Sequence, residues 1–278
     1  MYLCLKPSSI IGLSKLSNVR SNRIPVVLAV SGHDPSGGAG IQADIEAIKS
    51  FGCHVCTLIT SLTVQDTVNV YDVIPQDPTS FRSQARTLLR DIEVDILKVG
   101  LLGSAEIVHV LKEIVDEFNI RRLVLDPILR AGGGSSLADE RLLVSMRDEL
   151  LPLTTILTPN VYEAFKIAGT TDLAEAVQTL QNFGCRNVLV TGADIEGEEV
   201  INRWYGPKGV SKQWIWPKLP GSYHGSGCTL AAAVSANLAL DQELEVALAT
   251  AQEFTFSALQ KAHLPGKGQW VPQRTLVG

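Results

Sequence analysis

Short apolar runs alternate with longer amphipathic segments along most of the chain. The runs are nearly continuous, as is typical of strands covered on both faces. They lie at residues 25–31, 55–62, 95–99, 122–126, 155–158 and 187–190. Segments of helical character lie between or after them, at residues 41–51, 81–90, 104–118, 139–150 and 173–183. This alternation predicts an α/β fold of three layers, αβα, with a mostly parallel central sheet.

The pattern changes after residue 197. Two strand-like segments, at 200–205 and 211–216, are separated by Gly-Pro-Lys-Gly and predict an antiparallel hairpin at one edge of the sheet. Two helical segments, at 230–240 and 244–262, complete the chain, and the second carries an apolar stripe. We find no internal repeat and no linker, so residues 25–278 are predicted to form a single domain.

The first 24 residues differ from the rest because they contain four basic residues and no acidic one. Their apolar segment is broken by Pro7, Ser8, Ser9 and Gly12, which argues against a targeting peptide. We predict a loosely ordered N-terminal extension over residues 1–24.

Composition and charge exclude some classes of function. The net charge of -5 argues against a nucleic-acid-binding surface, and no apolar run reaches the roughly 18–20 residues that span a bilayer. Five scattered cysteines indicate reduced thiols and a cytoplasmic protein. Cys53 and Cys56 have CxxC spacing, but no second pair completes a zinc site, so we interpret them as packing residues.

A glycine–thiol stretch, His224-Gly225-Ser226-Gly227-Cys228, directly precedes a strongly helical run. The unpaired amides of a first helical turn, together with the helix dipole, favour an anion at this position. The same field is expected to favour the thiolate of Cys228. The alternative is an ordinary loop-to-helix joint with a buried cysteine.

Polar side chains follow several predicted strands, where parallel sheets bind their ligands. These are Asp34, Gln65, Asp66, Asp126, Asn160 and Glu163. Each carboxylate alone could be a helix cap. Carboxylates beside an anion-binding helix terminus, taken together, indicate Mg²⁺-assisted phosphoryl transfer.

Four segments carry a resemblance to a known family. They are SGHDPSGGAGIQAD at 31–44, LTVQDT at 62–67, TPNVYEA at 158–164 and HGSGCTL at 224–230. In this order they resemble the hydroxymethylpyrimidine/phosphomethylpyrimidine kinases of thiamine biosynthesis, which belong to the ribokinase-like superfamily. The resemblance runs from about Pro25 to the C-terminus.

The resemblance implies a kinase that uses ATP and Mg²⁺. Its substrate would be 4-amino-5-hydroxymethyl-2-methylpyrimidine, and the monophosphate formed would then be phosphorylated to the diphosphate. The implied site residues are Gly32, Asp44 and Gln65 for the pyrimidine; Gly225, Ser226, Gly227 and the base Cys228 for catalysis; Asn160, Thr191, Ser226 and Gly227 for the nucleotide; and Asp126 and Glu163 for the metal.

Two positions depart from the family pattern. Thr191 stands where many members have a basic residue, and Gly132-Gly133-Gly134 replaces a Lys-Ser-Gly. Both bear on nucleotide contacts and on the second phosphorylation. The alternatives are a pyridoxal kinase of the same superfamily and a non-catalytic pyrimidine-binding protein. We expect a homodimer whose ligands are small molecules rather than nucleic acid or membrane.

Overall fold

The computed structural model describes residues 23–129, 137–192 and 197–275. Nine strands of these residues form one sheet of order β3-β2-β1-β4-β5-β6-β7-β8-β9. They are β1 (Val26–His33), β2 (His54–Gln65), β3 (Val70–Pro75), β4 (Ile96–Val99), β5 (Leu123–Leu125), β6 (Ile156–Leu157), β7 (Val188–Val190), β8 (Glu199–Gly206) and β9 (Gly209–Pro217).

Eight α-helices are present in the described part of the chain. They are α1 (Gly40–Ser50), α2 (Pro78–Asp91), α3 (Ala105–Glu117), α4 (Glu140–Ser145), α5 (Val161–Ala168), α6 (Leu173–Asn182), α7 (Ser226–Ala239) and α8 (Leu244–Gln260). A π-helical turn (Met146–Leu150) and a 3₁₀ turn (Leu151–Leu153) extend α4.

The sheet is parallel through its centre and antiparallel at both edges. Strands β2, β1, β4, β5, β6 and β7 pair in parallel. The hairpin of β8 and β9 joins β7 in antiparallel fashion, which confirms the predicted edge. At the other edge, β3 pairs antiparallel with β2, a feature that the sequence pattern did not predict.

Two apolar layers hold the helices to the sheet. Successive residues of a strand point to opposite faces. Val26, Leu28 and Val30 therefore pack in the layer beneath α2 to α6, whereas Val27 and Ala29 pack in the layer beneath α1, α7 and α8. The predicted three-layer αβα fold is confirmed.

The chain order changes direction beside β1, because β2 lies on one side of it and β4 on the other. The carboxyl ends of strands at such a point form the usual ligand crevice of an open α/β sheet. The loop after β1, the first turn of α7 and the loop after β5 meet at this edge. The sheet order thus predicts where the site lies.

Parts of the predicted organisation lie outside the described residues, namely residues 1–22 of the extension and the Gly132–Gly134 run. The description begins at Arg23, whose guanidinium lies 2.8 Å from the Asp95 carboxylate. Among the described residues, no helix is both long enough and apolar enough to cross a bilayer.

Candidate active site

A cavity of about 930 Å³ opens at the carboxyl edge of the sheet. This volume is in the range of small-molecule sites. Ten of the eleven site residues that the resemblance implies line it: Gly32, Gln65, Asp126, Asn160, Glu163, Thr191, Gly225, Ser226, Gly227 and Cys228. Of the other strand-end candidates, Asp34 lines the cavity and Asp66 does not. Asp44 is not among the lining residues.

Asp34 organises one end of the cavity. Its carboxylate accepts hydrogen bonds from the backbone amides of Ser36 and Ala39, both at 2.8 Å, and from the Ser36 hydroxyl at 2.7 Å. His224 Nε2 lies 2.7 Å from the same carboxylate and donates to it. Burial alone would raise the pKa of Asp34, but the bonds from His224 and Ser36 hold it well below its usual range.

The hydrogen bonds around Asp34 also fix the amide of Gln65. The Gln65 side chain lies near Asp34 and helps to lower the pKa of that carboxyl, and its Nε2 lies 3.4 Å from His224 Nε2. Because a carboxylate can only accept, the Gln65 nitrogen must face Asp34. The Gln65 carbonyl oxygen then points away from Asp34 and can accept a hydrogen bond from a ligand amino group in the cavity.

The glycine–thiol stretch leads directly into helix α7, as the helical run after it predicts. Gly225 is the N-cap of α7, with a φ of 80°. The first helical bond runs from the Thr229 amide to the Gly225 carbonyl at 2.9 Å, so the amides of Ser226, Gly227 and Cys228 precede the intrahelical ladder. A Cβ on Gly225 would lie 2.0 Å from the Gly38 carbonyl oxygen, so this close approach requires glycine.

Cys228 is buried in the first turn of α7. The Gly40 amide lies near its sulfur, and the thiol contacts Asp126. Burial, together with the negative charges of Asp126 and Asp44, raises the pKa of Cys228 to about 12, and Lys98 opposes this shift. The prediction that the thiolate is favoured is therefore wrong, because loss of water and two carboxylates outweigh the helix terminus.

Asp126 follows β5 and is only 4% exposed. Its Oδ2 is buried without a hydrogen-bond partner. Burial raises the pKa of Asp126 to about 6, while Lys98 and the Cys228 thiol oppose that shift. A buried carboxylate oxygen that lacks a donor is suited to a cation.

Glu163 is used differently. Its Oε2 accepts from the Asn160 amide at 2.9 Å, and the Asn160 side chain accepts from the Glu163 amide at 2.8 Å. These reciprocal bonds form a capping box that starts α5. The three-residue spacing of Asn160 and Glu163 thus caps the helix, and the capping box also holds Glu163 at the wall of the cavity.

The donor set fits a weakly held Mg²⁺ ion. Within the described residues, no group of three or more His, Cys, Asp or Glu side chains is placed to bind a metal. Mg²⁺ commonly uses one or two carboxylates and completes its shell with water and substrate phosphates. The unpartnered oxygen of Asp126 supplies one such ligand.

Asp44 lies beneath the cavity rather than in its wall. Its Oδ1 is 2.8 Å from Lys98 Nζ, and both side chains are 0% exposed. Burial opposes the charge of Lys98, but Asp44, Cys228 and Asp126 together raise the pKa of Lys98 well above its usual range. Lys98 is therefore a buried cation close to Cys228 and Asp126. Asp44 pairs with this lysine, whereas the resemblance implied that Asp44 contacts the pyrimidine.

The sequence analysis missed a polar network at the other end of the cavity. Asn202 accepts from the Gly192 amide at 3.1 Å and donates to Gln252 at 2.9 Å. Trp216 Nε1 donates to the same Gln252 oxygen at 3.2 Å. These bonds tie the residue after Thr191 to the hairpin and to α8. No local sequence pattern predicts this network, because its residues are far apart along the chain.

Comparison with known proteins connects this site to a family. The model of the phosphomethylpyrimidine kinase family matches residues 34–273. The hydroxymethylpyrimidine/phosphomethylpyrimidine kinase of Synechococcus elongatus is 34% identical over 262 residues, which cover 88% of this chain and 95% of that protein. The chloroplastic thiamine biosynthetic bifunctional enzyme TH1 of Arabidopsis thaliana is 34% identical over 85% of this chain, and the match spans 47% of the plant protein.

Solved structures agree with this result. A phosphomethylpyrimidine kinase from Clostridium difficile has a TM-score of 0.73 and 28% identity, covering 85% of this chain and 100% of that one. A Bacillus subtilis pyridoxal kinase in complex with ADP has a TM-score of 0.84 and 27% identity, covering 91% and 98%. The fold of this chain, its four motifs and the segment matched by the family model show that it belongs to the phosphomethylpyrimidine kinase family.

Proposed function

We propose that the chain is an ATP- and Mg²⁺-dependent kinase that phosphorylates 4-amino-5-hydroxymethyl-2-methylpyrimidine and then its monophosphate. One observation carries the proposal. A single cavity is lined by the oriented amide of Gln65, the anion loop of residues 225–228 and the unpartnered carboxylate of Asp126. An acceptor, a phosphoryl group and a metal can therefore meet there.

Gln65 suits the acceptor. Its carbonyl oxygen can accept from the 4-amino group, and its second amide hydrogen can reach the adjacent ring nitrogen. Asp34 and His224 restrict the amide to this orientation. A site that presents an oriented hydrogen-bonding group discriminates strongly against analogues that leave this group unpaired.

The phosphoryl group is transferred in one displacement. The hydroxymethyl oxygen forms a bond to the γ-phosphorus, the bond from that phosphorus to the bridging oxygen breaks, and ADP leaves. The amides of Gly225, Ser226, Gly227 and Cys228 donate to the phosphoryl oxygens as charge redistributes. Cys228 first releases its thiol proton to solvent and then, as the thiolate, takes the proton of the hydroxymethyl group.

The nucleotide and metal are assigned to the Asp126 side. Asn160, Thr191, Ser226 and Gly227 line the cavity and are proposed to contact the phosphates of ATP. Asp126 and Glu163 are proposed to hold Mg²⁺, which supplies positive charge against the phosphates when bound. Because Thr191 stands where many family members have a basic residue, this part of the cavity has less positive charge to face the phosphates of ATP.

A coupled ADP-release assay tests the function. The pyrimidine alcohol, its monophosphate and pyridoxal are each offered with ATP and Mg²⁺. We expect turnover with the alcohol and the monophosphate, and less with pyridoxal. A folded protein that releases no ADP with any acceptor, yet binds the pyrimidine in calorimetry, would favour the non-catalytic alternative.

Pyridoxal kinase remains the second candidate because of one observation. The TM-score of 0.84 to the Bacillus subtilis pyridoxal kinase exceeds the 0.73 to the Clostridium difficile phosphomethylpyrimidine kinase. The two activities separate in a competition assay with both acceptors present. Preferential phosphorylation of pyridoxal would reverse the order of the candidates.

A homodimer is proposed as the assembly. Leu62 and Ile74 face each other across β2 and β3 and are 40% and 46% exposed, and Val64 beside them is 48% exposed. Apolar patches of this kind favour association. Light scattering should give twice the chain mass, and Ile74→Glu should reduce it. A monomeric wild-type chain would contradict the proposal.

We also propose a cytoplasmic location. The four cysteines of the described segments are free and buried, which suits a reducing compartment. The plant relative is chloroplastic by name. Cell fractionation with an antibody to the full chain tests this, and recovery outside the cytoplasm would contradict it.

The N-terminal extension is proposed to be dispensable. A chain that begins at Arg23 retains the ion pair with Asp95 and every contact described above. We expect its melting temperature and turnover to match those of the full chain, since unpacked termini contribute little. A clear loss of either quantity would show that the domain begins earlier.

A further inference from the structure

A C-terminal strap, defined as residues 263–275, lies beside the cavity and contributes Gln269 to its wall. Its Trp270 carbonyl accepts from the His224 amide at 2.8 Å, and its Trp270 amide donates to Ser222 at 2.9 Å. Its Gln269 amide donates to the Thr67 carbonyl at 2.8 Å. The strap thus holds the segment before the anion loop and the turn after Gln65 at the same time.

Arg274 anchors the strap beneath the anion loop. Its side chain is 0% exposed. The guanidinium donates to the Gly38 carbonyl, to Thr229 Oγ1 at 2.7 Å and to Glu46 at 3.1 Å. These three acceptors lie in the loop after β1, the first turn of α7 and helix α1. A planar guanidinium can bind all three at once, which the point charge of a lysine cannot reproduce.

The bonds continue from Arg274 to the N-cap of α7. Thr229 Oγ1, which accepts from Arg274, donates to the Gly225 carbonyl at 2.7 Å. Gly38, whose carbonyl also accepts from Arg274, is the group that a Cβ on Gly225 would strike. Arg274 therefore fixes both the carbonyl that starts α7 and the carbonyl packed against it.

We propose that Arg274 is a positioning residue for phosphoryl transfer, acting through Thr229 and Gly38 to hold the amides of the anion loop. The inference rests on the proposed function, because the loop is assigned to the transferring phosphoryl group. Arg274 lies one residue beyond the segment that the family model matches. The assignment therefore comes from the contacts in this chain.

The chain offers a matched control at the opposite end of the same helix. Arg122 donates to the Leu238 carbonyl near the end of α7 at 2.8 Å and to the Asp95 carbonyl at 3.0 Å. Arg122→Met removes an arginine that binds α7 but is not near the anion loop. A purely structural role predicts that both methionine variants lose stability and neither loses turnover in the folded state.

The experiment compares Arg274→Met, Arg274→Lys and Arg122→Met in the full chain. We expect Arg274→Met to lower kcat about 10- to 100-fold, the effect of a small misplacement. Its affinity for the pyrimidine alcohol, measured by calorimetry, should be retained, since Gln65 is untouched. Arg274→Lys should recover little of the lost turnover, because the point charge of a lysine cannot reproduce the three bonds of the guanidinium. Equal kcat in the two methionine variants would overturn the proposal.

Hydrogen exchange supplies a readout that does not depend on activity. The amides of residues 226–229 should exchange faster in Arg274→Met than in Arg122→Met. If the wild-type chain shows no kinase activity, the proposed function fails and this exchange decides the positioning role by itself: equal rates overturn it. If Arg274→Met does not fold, Arg274→Lys carries the test, with wild-type kcat and exchange as the overturning result.

Discussion

Asp34 and Asp126 occupy equivalent places in the fold and behave in opposite ways. Each follows a parallel strand at the same edge of the sheet, and each is 4% exposed. The carboxylate of Asp34 accepts from two backbone amides, a hydroxyl and an imidazole. One oxygen of Asp126 has no hydrogen-bond partner.

The difference shows that the number of donors, rather than burial, decides the charge state of these carboxylates. Bonds to Asp34 hold its pKa well below the usual range despite burial. Burial raises the pKa of Asp126 to about 6 because its bonds do not offset the lost water. Asp34 thus stabilises the site, whereas Asp126 is available to a ligand.

Cys228, which contacts Asp126, carries the largest predicted effect. Cys228→Ala should lower turnover about 10²- to 10⁴-fold, the usual contribution of a positioned base. Cys228→Asp should retain more activity than Cys228→Ser, because a carboxylate accepts a proton and a hydroxyl does so poorly.

The pH profile of this series sharpens the prediction. Since the thiol pKa lies near 12 in the free protein, kcat/KM of the wild type should still be rising at alkaline pH, and Cys228→Asp should lack that rise. If Cys228→Ala kept more than about a tenth of normal turnover, the thiol would be a packing residue.

Asp126→Asn should lower turnover about 10²- to 10³-fold, because a bound Mg²⁺ would lose an anionic ligand. The unfolding free energy of the same variant should increase. A carboxyl whose pKa is raised in the folded state is destabilising when ionised, so at pH 7 the variant should gain about 1–3 kcal/mol in unfolding free energy.

The stability gain of Asp126→Asn should disappear as the pH falls from about 6 toward the unfolded value near 4. Urea unfolding at several pH values measures it. Normal Mg²⁺ dependence and normal turnover in Asp126→Asn would remove this residue from the metal site.

Asp34→Asn should show the opposite balance, with a loss of stability of about 2–3 kcal/mol, because charge-assisted bonds from His224 and Ser36 are weakened. Asp34 has a lowered pKa in the folded state, so its contribution is present above an unfolded pKa near 4 and is lost below it. The variant should lack that acid-dependent loss.

Asp66→Asn is the control for Asp34→Asn, since asparagine also supports the exposed turn that Asp66 forms. We expect its unfolding free energy to equal that of the wild type. If both variants lost the same stability, Asp34 would have no special part in the site.

Thr191→Lys should have the smallest effect on kinetics. The change affects only the part of the cavity near Asp126 to which the nucleotide is assigned. A cation at this wall position should lower the KM for ATP about fivefold through a charge-assisted bond to phosphate. The KM for the pyrimidine should not change. Thr57→Lys, towards the other end of β2 from Gln65, controls for net charge. An unchanged KM for ATP would place the nucleotide phosphates elsewhere.

Local signals explain what could be predicted from the sequence. Ser104, the first residue of the predicted segment 104–118, caps α3, and Asn160 and Glu163 form a capping box at the start of α5. Both caps depend on neighbouring residues alone. The order of strands and helices followed from apolar periodicity. The glycine–thiol joint was predicted for the same reason.

Contacts between distant segments explain what could not be predicted. The pKa of Cys228 depends on Asp126 and Lys98, which come from other strands. Asp44 is turned under the cavity by Lys98 on β4. Arg274 has no motif around it and becomes informative only once the strap is seen beside α7. Burial and long-range pairing are properties of the folded chain.

The most direct test of the account is to follow the γ-phosphate of ATP by phosphorus NMR with the pyrimidine alcohol as acceptor. The account predicts equal amounts of ADP and of a pyrimidine phosphorylated on its hydroxymethyl oxygen, formed only when Mg²⁺ is added. The rate should fall sharply in Asp126→Asn and persist in the control Asp66→Asn. Free phosphate without a phosphorylated pyrimidine, or product formed equally well by Asp126→Asn, would contradict it.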